Sequence, residues 1–297
     1  MSGVTKFSRI LTPIFRMKKI NWKYPKFELR KIIQLVTLHQ RSSFISFLPS
    51  WTVLFIAACK KNEKMDFRQY DKVIKTADEM YDNKKYKEAY DLLHQESFME
   101  NDEVLWRLAR ICYELAHVTK ANEERVSLLR EAFSYAEKAI QINDNNNNSH
   151  RWYGLLLDYV AREVGTKERL IKSKLVRKHI EKAIEICPTD TTSLYILGNW
   201  CYSFADLPWY QRKIASVIFA SPPTSTYEEA LQFFEKAEEI EPNFYSMNLL
   251  YLGKTYLKLN QKEKAVICLE KVKNYPLKTR DDQEAFKEAV ELLKSLK

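Results

Sequence analysis

Residues 249–276 spell out two helices and a turn. Leu249, Leu252, Gly253 and Tyr256 share one face of a first helix. Ala265, Leu269 and Val272 share one face of a second, and Pro276 closes the unit. Gly253 precedes Ala265 by twelve residues, Leu269 follows Ala265 by four, and Val272 follows by three more. Small residues therefore fall where antiparallel helices cross closely, with large ones filling the space on either side. Such a unit cannot bury its apolar face alone, so the chain is constrained to stack copies of it.

The copies are present. The second-helix spacing returns at Ala230, Phe234, Ala237 and Pro242, and at Val176, Ile180, Ala183 and Pro188. It returns again at Ala132, Ala136 and Ala139, with Asp144 where the proline would stand. Ala89 and Leu93 form a weaker first copy, preceded by Ala77. First helices read at residues 106–113, 152–159 and 194–201. Residues 280–297 read as a closing helix, with Ala285, Phe286, Ala289, Val290, Leu292 and Leu293 on its buried side. This is tetratricopeptide spacing. The expected fold is all-α, an irregular tetratricopeptide-like solenoid of antiparallel helix pairs over residues 66–297. Long inter-helix insertions interrupt it and a C-terminal capping helix ends it. Five glycines in 297 residues suit helices and leave too few turns for an all-β fold.

The irregularity lies in the links. Residues 118–128, 165–173 and 204–226 separate the two helices of the second, third and fourth copies by more than the repeat requires. The last of these holds Tyr210, Ile214, Val217 and Ile218 at i, i+4, i+7 and i+8, one helical face. Pro208 suits a helix start, Pro222 and Pro223 a stop, and Ser225-x-x-Glu228 a capping box for the next helix. The insertion thus reads as an extra amphipathic helix. Two roles fit it: packing on the solenoid so as to narrow its groove, or presenting Trp209, Arg212 and Lys213 to a partner or a membrane.

Charge divides the chain differently. Residues 1–43 carry ten basic groups, Lys18, Lys19, Lys23, Lys26, Arg30 and Lys31 among them, against the single acid Glu28. That stretch accounts for the whole net charge of +9, so the repeats are electrically balanced. A nucleic-acid-binding domain spreads positive charge over a folded face, and none is expected here. Residues 44–59, FISFLPSWTVLFIAAC, are uncharged but slightly short for a membrane span and interrupted by Pro49. They fit a short membrane anchor, the apolar end of an organelle-targeting region, or a helix docked on the domain. A flexible or targeting extension (1–43) and an apolar segment (44–59) therefore precede the solenoid.

Catalytic chemistry finds no foothold in the sequence. The five histidines have no His-x-x-x-His or His-Glu spacing, and neither a nucleophile elbow nor a phosphate-cradling glycine loop occurs. Cys59, Cys112, Cys187, Cys201 and Cys268 are odd in number and lack a C-x-x-C pair, which argues against a disulfide framework and a zinc site. Four of them lie in apolar helical stretches, as buried free thiols in a reducing compartment would. A non-enzyme without cofactor or metal is expected.

What a helical solenoid offers instead is a concave groove lined by first helices. With Gly198 and Gly253 as close-packing positions, the groove-facing residues are expected to be Tyr195, Asn199 and Tyr202, then Leu250, Lys254 and Leu257. The same offset from Trp106 gives Arg107, Ile111 and Glu114. Such a lining suits a peptide, an amphipathic helix or an acyl chain.

The stretch WCYSFADLPWYQRKIASVIFASPPTSTYEEALQFFEKAEEIEPNFYSMNLLYLGKTYLKL resembles the C-terminal half of the regulator of microtubule dynamics family. LWRLAR, HRWYGLLL and HIEKAIEICPTDTTSLYILG resemble its upstream blocks. The resemblance runs from about residue 66 to the C-terminus. It implies a non-catalytic, microtubule-associated protein of the cytoplasm and cytoskeleton, at the spindle and spindle poles, with tubulin as partner. Other members are membrane-anchored, some at contacts between mitochondria and the endoplasmic reticulum, and one has a lipid-binding domain of this type. The alternative expectation is therefore a lipid-binding or membrane-tethering module held to a mitochondrial or other organelle membrane through residues 44–59.

Overall fold

Helices in antiparallel pairs build the repeat region. The computed structural model describes residues 67–219 and 222–296, so the basic extension and residues 44–59 lie outside the described residues. Every regular element among the described residues is helical. The first pair is α1 (Phe67–Asp82) and α2 (Tyr86–Leu93), the second α3 (Asp102–Val118) and α4 (Asn122–Ile142). The third is α5 (Asn147–Val164) and α6 (Thr166–Ile186). In the fourth, α7 (Thr191–Ala205) and α9 (Tyr227–Ile240) flank the inserted α8 (Trp209–Ile218). The fifth is α10 (Ser246–Lys258) and α11 (Lys262–Lys273), closed by α12 (Arg280–Ser295). A short 3-10 turn, Glu96–Phe98, joins the first two pairs. The all-α tetratricopeptide-like solenoid is the fold.

The repeated small-and-large signature is the core. Ala132, Ala136, Ile180, Ala183, Ala230, Phe234, Ala265 and Leu269 are all fully buried. Gly198 shows why a small residue is needed where helices cross. A Cβ there would stand 2.7 Å from the Phe234 ring, so α7 and α9 approach as closely as they do only without one. On the closing helix, Ala285, Ala289 and Leu293 are buried and cover Leu249, Leu250, Leu269 and Val272 of the fifth pair.

Two of the expected long links are not loops. The extra residues of the second and third copies lengthen α4 and α6 to 21 residues each, leaving only residues 119–121 and Gly165 as connections. The segments NEERVSL and TKERLIKS consist largely of helix-tolerant residues with no Gly or Pro, so propagation continues through them. Gly165, at φ 136°, makes the abrupt reversal in a conformation that a side chain would strain. The expected Ser225–Glu228 capping box does not form: Thr226 caps α9, accepting from the Glu229 backbone N–H, while the Ser225 hydroxyl donates to the Glu229 carboxylate.

Polar joints connect one pair to the next at the starts of the first helices. Asn146, which caps α5, donates to Asp102 (2.8 Å) and Glu103 (2.7 Å) at the start of α3. Arg151 of α5 reaches Asp190, the cap of α7, at 2.6 Å. Ser246 of α10 donates to Asp282 of α12 at 2.6 Å, and within the fourth pair Thr191 donates to Glu241, at the end of α9, at 3.2 Å. The run of asparagines at 145–148 is thus part of a joint as well as a helix stop. Each joint uses the same short polar residues that satisfy the free N–H groups of a helix start.

Candidate functional site

The coil of the solenoid encloses a groove of about 990 Å3. Its walls come from α3, α5 and α7, from the start of α6, and from the beginnings of α8, α10 and α12. Aromatic rings dominate: Tyr113, Trp152, Tyr159, Tyr195, Trp200 and Tyr251 line it. They are locked edge to face. The Tyr113 ring lies 5.1 Å from Tyr159 and 5.5 Å from Trp152, and Tyr195 stands at 89° to Tyr245 with centroids 5.0 Å apart. The Tyr113 and Tyr159 hydroxyls meet at 2.9 Å.

Charges in the groove are mostly tied down. Asp158 takes Arg162 at 2.6 Å and Arg169 at 2.8 Å, and Arg280 pairs with Glu284 at 2.9 Å. Glu114 accepts from the Tyr81 hydroxyl at 2.9 Å, and Asp281 accepts from the Tyr245 hydroxyl. Burial raises the Tyr113 phenol well above its ordinary pKa, and the neighbouring Tyr159, Glu114 and Asp281 add to that rise. Burial likewise raises Tyr195, with Tyr251, Asp281 and Tyr159 contributing. Asp281 belongs to the last helix and Tyr113 to the second pair, so the coil brings distant repeats to the same cavity.

Asn199 and Trp152 are among the polar groups in this lining that remain unspent. The Asn199 carboxamide, on α7, makes no hydrogen bond to any described residue. The Trp152 indole N–H is buried without a partner among the described residues, a costly state for a donor.

Of the residues expected in the groove, Glu114, Tyr195 and Asn199 line this cavity. Ile111 and Leu250 are fully buried and Tyr202 is 6% exposed, which puts all three in the core. Arg107 is held against α1 by Asp78 at 2.9 Å and by Glu103 at 2.7 Å. Lys254 pairs with Glu288 of α12 at 2.6 Å, and Leu257 is half-buried against the core. One offset cannot serve every first helix, because each is rotated relative to its predecessor as the solenoid coils. Tyr113, Trp152, Tyr159 and Tyr245 were missed. An aromatic recurring on successive first helices, as Trp152 and Tyr159 do on α5, was the available signal.

At the insertion, α8 packs against α6 of the preceding pair. Only its beginning, through Pro208 and Gln211, touches the groove. Its buried residue is Ala215, whereas Tyr210, Ile214 and Val217 are exposed. Three of the four residues of the apolar face are therefore turned outward, while Ile218 lies with Gln211 and Ala215 on the less exposed side of the helix. Trp209, Arg212 and Lys213 are also exposed.

The histidines, isolated in sequence, are not all isolated in space. His150 and His179 stack with Nδ1 atoms 2.9 Å apart, and the His150 Nε2 lies 3.0 Å from the Asp144 carbonyl. A carbonyl only accepts, so neutral His150 carries its proton on Nε2 and its Nδ1 accepts from His179. Among the described residues no group of three His, Cys, Asp or Glu could hold a metal ion. Cys112, Cys201 and Cys268 are buried free thiols, Cys187 is partly exposed, and Cys59 lies outside the described residues. Burial pushes the Cys201 and Cys268 thiols up to about 11, far from a reactive thiolate. No described helix is long and apolar enough to cross a membrane.

Comparison with known proteins completes the site's description. The family model for regulator of microtubule dynamics proteins 1–3 matches residues 73–297. Regulator of microtubule dynamics protein 1 of Mus musculus is 45% identical over 227 residues, 76% of this chain and 74% of the relative. Protein 2 of Mus musculus is 31% identical over 239 residues, 80% of this chain and 58% of that one. Among solved structures, a thermophilic tetratricopeptide-repeat protein of Thermus thermophilus superposes with a TM-score of 0.51 at 13% identity. The superposition spans 74% of this chain and 98% of that one.

Proposed function

The chain belongs to the regulator of microtubule dynamics family, and on that premise we propose that it acts on microtubules as a non-catalytic adaptor whose groove holds an extended peptide of a partner protein. The observation that carries the reading is Asn199. Its carboxamide offers one donor group and one acceptor, as a peptide bond does, and stands free in an aromatic-walled groove. Rings on either side supply apolar contact area, and the clamped charges fix the groove's shape before binding. A lipid-binding or tethering role would be better served by a continuous apolar tunnel. Here Glu114, Asp158, Arg169 and Asn199 interrupt the aromatic surface.

The basic residues 1–43 supply the second arm of the adaptor, a salt-sensitive attraction to the acidic surface of the microtubule. On this reading the protein works on the cytoskeleton, and the family resemblance supports the spindle and its poles as the place. Co-sedimentation of the full chain with polymerised tubulin and its associated proteins tests both arms. Asn199→Arg fills the groove with a long charged side chain and is expected to lower co-pelleting at least about fivefold. Unchanged co-pelleting in that variant removes the groove from the mechanism. Unchanged low-salt binding by a chain starting near residue 66 removes the extension.

A further inference from the structure

Large apolar side chains reach solvent most densely on the inserted helix. On α8, Trp209 is 73% exposed, Tyr210 50%, Ile214 37% and Val217 83%. Arg212 and Lys213 are exposed on the same helix, whose sequence WYQRKIASVI contains no acid. Neither cation is tied to a described residue by an ion pair or side-chain hydrogen bond.

The helix beneath extends the pattern. Lys167, Ile171, Lys174 and Lys178 are exposed on α6 at i, i+4, i+7 and i+11, one face of that helix. The Lys174 ammonium lies 5.0 Å from the centre of the Phe219 ring, which follows the end of α8, so the lysine face and the insertion adjoin. That face turns acidic only near its C-terminal end. Glu181 and Glu185 stand there, paired with Arg177 at 2.7 Å and Lys182 at 3.1 Å.

We propose that this surface docks on an anionic membrane, with Trp209, Ile214 and Val217 entering the headgroup boundary and Arg212, Lys213 and the α6 lysines lying against the anionic lipid. The charge pattern selects a bilayer over a protein. Tryptophan and arginine suit either partner, but lysines such as Lys167, Lys178 and Lys213 are depleted from protein–protein interfaces and are what an interfacial surface presents to anionic lipid. A helix with cations and no acid gains from a negative surface potential along its whole length. This surface lies outside the groove, which the insertion touches only at the beginning of α8.

The test uses the full chain and vesicles of phosphatidylcholine, with and without phosphatidylserine, carrying brominated acyl chains as a quencher. The chain has six tryptophans, so the Trp209 signal is the emission lost in Trp209→Phe. Reading that signal separates docking of α8 from attraction of the basic extension, which brings the chain to anionic vesicles without burying Trp209. Trp209 emission is expected to be quenched by the anionic vesicles and not by pure phosphatidylcholine. Arg212→Glu with Lys213→Glu is expected to reduce the quench at least about fivefold, with far-UV circular dichroism unchanged. Three results overturn the proposal: Trp209 unquenched by anionic vesicles, equal quenching by neutral ones, or quenching that survives the double charge reversal.

Discussion

The fourth and fifth helix pairs follow the same rule and differ in what lies between their helices. In the fifth, residues 259–261 join α10 to α11 and the chain turns straight back. In the fourth, the span from Asp206 to Thr226 intervenes, and α8 leaves its own pair to rest on α6. Yet Gly198 meets Phe234 in one pair as Gly253 meets Leu269 in the other. The same crossing forms whether three residues or an added helix lie between its two partners.

The sharpest way to break this equivalence is to empty each crossing. Phe234→Ala should cost about 4 kcal/mol and Leu269→Ala about 3 kcal/mol in urea unfolding of the chain. A much smaller loss at Phe234 would mean that the insertion, and not the crossing, holds the fourth pair. Filling the crossings is the gentler version. Gly198→Ala places a Cβ 2.7 Å from an aromatic ring and should cost about 1–2 kcal/mol, while Gly253→Ala, whose nearest neighbour is the Leu269 side chain at the longer distance of 3.0 Å, should cost less than about 1 kcal/mol. Reversal of that order would show that the fourth pair is the looser one.

A pH dependence separates the third pair from both. Burial, the neighbouring His150 and Lys178 lower the His179 pKa to about 4, with Asp144 opposing. Its folded value lies below its unfolded one, so the unfolded chain binds the extra proton first. Stability is full above about pH 6.5 and falls as the pH drops towards about 4. Thermal unfolding should show the loss, and His179→Gln should flatten it over that window, leaving any slope set by other groups. The smallest effect belongs to the insertion: Val217→Ala, 83% exposed in the parent chain, should change stability by no more than about 0.5 kcal/mol.

What the sequence disclosed follows the range over which each feature is encoded. Ala230, Phe234 and Ala237 announce a buried helix face because a local period writes it, and the start of α9 was legible to within one residue, Thr226 in place of Ser225, because a cap depends on a single turn. The lengths of α4 and α6 were misjudged because a link was assumed wherever the repeat spacing lapsed, although nothing in NEERVSL or TKERLIKS stops a helix. The groove was harder still. Glu114, Tyr195 and Asn199 share it with Arg280 and Asp281, and such neighbours are set by rotation accumulated over several pairs. The outward turn of Tyr210, Ile214 and Val217 escaped the periodicity for a similar reason. Amphipathicity tells that a helix has an apolar face, and only the partner helix decides whether that face is covered.

Asp281, beside Tyr113 and Tyr245, carries one more consequence. Stacked helix pairs can in principle be added without end, as links are added to a chain. This array instead meets itself: its final helix contributes to the same cavity as its second pair. The count of repeats is therefore a dimension of the cavity. A pair inserted or removed anywhere between α3 and α12 would slide the two walls out of register, whereas a side branch such as α8 leaves them in place.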